Sequence, residues 1–94
     1  MKYTREMEAN LPEFESAAEA REYFKEKHGK NFVLLFSDVI DGMKIYFNNL
    51  VLNEEVYERS LRYLGNDNDI DGLELLNSYQ RIEIWEDGRV HMIH

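Results

Sequence analysis

The residues best spaced for chemistry in this chain are three aspartates at alternate positions, Asp67, Asp69 and Asp71, followed by Gly72. Calcium takes six to eight hard oxygens, and alternate carboxylates before a turn-forming glycine put several of them on one side of a loop. A helical segment precedes them, as it does in the helix–loop–helix calcium loop. The second half of that motif is missing. With Asp67 as the first loop position, the twelfth needs a bidentate acid and holds Ser78. A loop closed so poorly would bind in the ~millimolar range. Aspartate, asparagine and glycine are also what any solvated turn uses. Asp67, Asp69 and Asp71 are therefore candidate cation ligands, with a plain polar loop as the competing reading.

Other constellations are weaker. His91 and His94 stand three apart on a terminal strand, which puts them on opposite faces and prevents them from chelating one metal. His28 falls at the end of a helix, where a cation suits the dipole. Asp38 is the one acid that strand pairing would set on an apolar face, beside Ile45. It is either a functional acid or a residue that reaches water or caps a backbone amide. With no cysteine in the chain, disulfides, cysteine-rich zinc sites, iron–sulfur clusters and thiol nucleophiles are excluded. There is no glycine-rich phosphate loop and no Ser–His pairing. Nineteen acids make any carboxylate pair uninformative. The expectation is a protein without catalytic activity or cofactor.

The net charge of −8 is concentrated. Glu54, Glu55, Glu58, Asp67, Asp69, Asp71 and Glu74 are opposed only by Arg59 and Arg62 in that window. Such a field repels phosphates and anionic lipid, so direct nucleic acid binding and membrane binding are not expected. No segment approaches the ~20 apolar residues of a membrane span. The opening MKYTREMEAN has no apolar run for a signal peptide, and a cytoplasmic location is the expectation.

The elements that must position these residues follow from patterning. Residues 1–15 are mixed, interrupted by Pro12, and read as a loosely ordered arm or short strand. Ser16-Ala17-Ala18-Glu19 is a capping box, opening a helix from Ala17 to His28 that Gly29 closes, with Ala17, Ala20 and Phe24 inward. Asn31 to Ile40 is a strand. Asp41-Gly42 is a tight turn pairing Ile40 with Met43, Asp38 with Ile45 and Phe36 with Phe47. Strict alternation then gives a core face of Leu34, Phe36, Ile40, Met43, Ile45 and Phe47. The second face carries Val33, Leu35, Val39 and Tyr46, too apolar for water, and must be covered by another element or another chain. Asn53 caps a helix running to about Leu64, and Leu73 to Leu76 reads as a helical turn. Gln80 to Glu86 and Arg89 to His94 form a second hairpin on Asp87-Gly88, setting Ile84 opposite His91, Ile82 opposite Ile93 and Trp85 opposite Val90.

One domain over residues 1–94 results, of α+β class: two antiparallel β-hairpins forming a sheet packed by two helices, in the order α-β-β-α-β-β. The whole chain, with its MKYTREMEAN opening, FVLLFSDVIDGMKIYF hairpin and RIEIWEDGRVHMIH ending, resembles the small uncharacterised YopT-type proteins of Gram-positive prophages. The resemblance implies a homodimer of α+β subunits with no assigned activity, and it supplies no functional residues.

A homodimer also follows from the surplus of apolar sheet surface, since self-association is the simplest cover in a short chain. Val33, Leu35, Val39, Tyr46 and Trp85 are its expected interface residues. The functional expectation is an accessory protein acting by protein–protein interaction, with an unidentified protein partner. A special case is an acidic surface imitating DNA. The alternative is a weak cation-binding module built on Asp67 to Gly72.

Overall fold

The computed structural model describes residues 2–62 and 76–94. A short helix α1 (Arg5–Ala9) and a longer α2 (Ala17–His28) precede a hairpin of β1 (Phe32–Ile40) and β2 (Met43–Val51); then come α3 (Glu54–Arg62), β3 (Tyr79–Trp85) and β4 (Val90–Met92). The four strands make one antiparallel sheet in the order β1-β2-β3-β4. The class is α+β, as the patterning implies. The element order is α-α-β-β-α-β-β rather than α-β-β-α-β-β, because the arm contains a helix of its own.

That helix has a local cause. Thr4 accepts the Met7 amide at 3.1 Å through its hydroxyl, and acids follow in the first turn. Its anchor is Tyr3, only 2 % exposed, whose ring meets Phe24 edge-on and whose hydroxyl lies 2.8 Å from His28 Nε2. The Gln80 side-chain amide pairs with the Tyr3 main chain, accepting from its N–H at 2.8 Å and donating to its carbonyl at 3.0 Å. A lone Tyr in a polar stretch carries no sign of this, since both partners are distant in sequence.

α2 forms as its capping box dictates. Ser16 accepts the Glu19 amide at 3.2 Å, Ala17, Ala20 and Phe24 are buried, and Gly29 leaves the helix at φ 56°. It packs on the sheet face that carries Phe32, Leu50, Ile82, Ile84 and Met92, which with Tyr3 form the main core.

The core face is therefore not the one that strict alternation selects. The turn and pairs are as expected: Asp41 and Gly42 both have positive φ, and Ile40, Asp38 and Phe36 lie opposite Met43, Ile45 and Phe47. Between Leu34 and Phe36 the register shifts by one residue, so Leu34 stands on the α2 side while Phe36 and Ile40 stand on the other. Hydropathy misleads because the α2 side buries polar side chains. Asn48 is fully buried and donates to the carbonyls of Tyr46 and Ile82, and Gln80 is 2 % exposed. Hydrogen bonds lower the cost of burying such groups, although Asn48 Oδ1 has no partner among the described residues.

The second hairpin departs from its expected register by one residue. Trp85 donates its amide to the Arg89 carbonyl at 2.9 Å and Gly88 donates to the Trp85 carbonyl at 2.9 Å. This is a three-residue loop with Gly88 at φ 94°, not a two-residue turn. A one-residue slip inverts every side chain. Ile82 pairs with Met92, Glu83 with His91 and Ile84 with Val90, so Met92 enters the core at 1 % exposure and His91 faces water.

Candidate functional site

The least covered part of the described surface is β1. Every residue from Leu34 to Ile40 is exposed, and five of these seven are apolar: Leu34, Leu35, Phe36, Val39 and Ile40. Phe36 is 53 % exposed, although its ring stacks on Phe47 at 4.7 Å between centroids. A contiguous exposed apolar run of this kind on a small domain is often a contact surface.

Three features shape the region. α3, opened by Asn53 accepting the Val56 amide at 3.2 Å, covers only one end of the sheet face opposite α2. Its buried Tyr57 receives a hydrogen bond from Asn49 at 3.2 Å and meets Tyr79 edge-on. Between α3 and β1 lies a recess of about 390 Å³ lined by Val33, Leu35, Val51 and Tyr57, with Lys30, Glu54 and Glu58 at its rim. Lys30 is paired with Glu54 at 3.3 Å, across an exposed surface where such a pair contributes little. The extra residue at the register shift is Leu35, which the bulge turns to this recess. At the far end of the same face, Arg89 folds over Trp85 at 4.5 Å and donates to Met43 Sδ at 3.2 Å.

The strand edge itself is modified. Ile40 and Met43 flank a two-residue turn and form a hydrogen-bonded pair, so alternation turns the Val39 amide outward. Asp38 accepts that amide at 2.8 Å. Of the two readings open for Asp38, the geometry is that of an exposed acid capping a backbone amide.

The five residues expected at an interface are divided between the faces. Register places Val33 and Trp85 on the α3 side, where Leu35 also lies. Tyr46 and Val39 belong to the α2 side. Tyr46 is half-buried against the core, between Arg21 and Lys44, each 5.1 Å from its ring. Val39 is 62 % exposed. Alternation assigns Leu34, Phe36 and Ile40 to the core, and all three are exposed; the bulge that splits them between the faces leaves no mark in the sequence.

The titratable groups act as tethers. Burial, helped by the Lys27 cation, lowers the His28 pKa and favours the neutral ring, which stacks on Phe24. Burial raises the pKa of its partner Tyr3. Glu8 bridges the arm to β4, with one oxygen accepting the Met92 amide at 3.1 Å and the other 2.6 Å from His94 Nε2. Burial alone would raise the Glu8 pKa, but these bonds outweigh it and hold the group below the usual carboxylate value. With both oxygens committed, Glu8 fixes the arm in place.

Asp67, Asp69 and Asp71 lie outside the described residues. Among the described residues no three histidines or acids are grouped to hold a metal, and no helix is long and apolar enough to cross a membrane. No protein-family model, curated protein or solved structure matches the chain.

Proposed function

We propose that this chain works by protein–protein interaction as a homodimer, with the β1 side of the sheet as its contact surface. In the cell it would serve as an accessory protein of the prophage type that the sequence resembles. The observation that carries the reading is the unbroken exposed run Leu34–Ile40, with a single charged side chain among five apolar ones. A chain of net charge −8 that self-associates must do so where its own charges are sparse, and this run is such a place. Isologous contact between two copies covers it without requiring a second gene product. The dimer would then present its acidic outer surfaces to a further protein partner.

Sedimentation equilibrium tests the reading. The expected result is a species of twice the 11.3 kDa chain mass, converted to monomer by Phe36→Glu with unchanged circular dichroism. A native chain that stays monomeric at concentrations well above micromolar removes the proposal.

A further inference from the structure

The face opposite α2 is stepped. α3 stands on one end of it, over Val51 and Asn49, while the other end, with Ile40 and Met43 beside the turn, carries no helix among the described residues. Two such faces stacked with their strands parallel would drive α3 of one copy against α3 of the other. Stacked antiparallel, each α3 falls beyond the turn end of the opposite copy, and each turn end meets the recess between β1 and α3.

Building on the homodimer reading, we infer that two copies pack these faces antiparallel about a two-fold axis. The Ile40 end of each hairpin sits in the Val33–Leu35–Val51–Tyr57 recess of the other.

The area argument points the same way. The exposed apolar residues of β1 on this face, Leu35, Phe36 and Ile40, offer roughly 300 Å² per copy, well under half of the ~800 Å² per partner in a standard interface. Contact along the strip alone is too small, and seating the turn end in the recess engages the remaining surface. Both halves of the fit are apolar: Ile40, 44 % exposed, on one side, and a recess walled by two valines, a leucine and a tyrosine on the other. The arrangement is isologous and closes at two copies, because each chain supplies one protrusion and one recess. It also brings the two Asp38 residues, midway along the strip, to the rim near the axis. Two like charges there weaken the dimer, so Asp38→Asn, which keeps an oxygen for the Val39 amide, tightens it severalfold.

A chain without native cysteine allows a clean test. Leu35 and Ile40 are about 17 Å apart along one strand, too far for an internal disulfide. In the double variant Leu35→Cys/Ile40→Cys, mild oxidation is expected to yield a covalent dimer, while each single variant stays uncrosslinked. Cross-linking by either single variant instead places like positions together and overturns the antiparallel arrangement. A dimer by sedimentation that none of the three variants traps overturns this packing and leaves the homodimer reading standing. A monomer at every concentration removes both.

Discussion

At the β4 edge of the sheet the outward amide of Met92 is taken by Glu8, a residue 84 positions away. At the β1 edge the outward amide of Val39 is taken by Asp38, its own neighbour. Both edges are blunted by a carboxylate, which is how natural sheets avoid edge-to-edge growth. The difference lies in what comes with the carboxylate. Glu8 arrives on a folded arm that also brings Tyr3 into the core. Asp38 brings nothing, and the apolar side chains around it stay exposed. Closing an edge with a distant segment costs chain entropy that buried contacts must offset. Closing it locally costs little and leaves a surface free for another molecule.

The strongest way to break that contrast is to truncate one aromatic on each side. Tyr3→Ala removes a ring packed on Phe24 and the partner of His28, and should cost about 3 kcal/mol in urea unfolding at any protein concentration. Phe36→Ala should cost less than about 1 kcal/mol in dilute solution, with a larger loss only where the dimer is populated. A concentration-independent loss at Phe36 as large as that at Tyr3 would make the two sides equivalent.

The same contrast decides what could be read from the sequence. α2 is legible end to end, because Ser16 caps the Glu19 amide and Gly29 closes the helix, both of them local effects. The β1–β2 turn was legible because Asp41-Gly42 fits one turn type. The second Asp-Gly supports a loop one residue longer, and nothing in the dipeptide separates the two. The arm was not legible at all: Tyr3 is held by Gln80 and His28, and Glu8 by β4. The exposed strip was visible as surplus apolar residues, but its face was not, since a bulge at Leu35 and a buried Asn48 both break the alternation.

Gly88 sharpens the comparison from the turn side. A Cβ there would collide with the Phe14 carbonyl oxygen, at a φ of 94°. The arm crosses the β3–β4 turn at backbone contact, and Ala17 donates to the Glu86 carbonyl beside it at 3.3 Å. Gly88→Ala should cost about 2 kcal/mol, from strain and from displacing Phe14. Gly42 has positive φ but open space around it, so Gly42→Asn should be tolerated within about 1 kcal/mol. Thermal unfolding of the two variants side by side reads the difference.

The smallest effect concerns pH, and it should appear on the arm side. The pKa of His28 is depressed in the fold, so the unfolded chain takes up a proton first as pH falls. Its contribution is therefore complete above its ordinary value of 6.5 and declines below that, through the folded value. Glu8 is also depressed, and its contribution is present above its ordinary 4.5 and lost as pH falls through its lower folded value. Both losses lie on the acid side but in separate windows. His28→Phe, which keeps an aromatic ring against Phe24 and removes the proton, should flatten the stability profile just below pH 6.5 relative to the native chain. Glu8→Gln should flatten the profile below about pH 4.5. Asp38→Asn tests the other edge. Its carboxylate serves only a neighbouring amide, so monomer stability should stay within about 0.5 kcal/mol of native across the same range. If all three variants shifted the profile alike, the arm would hold the sheet no more firmly than a single side chain does at β1.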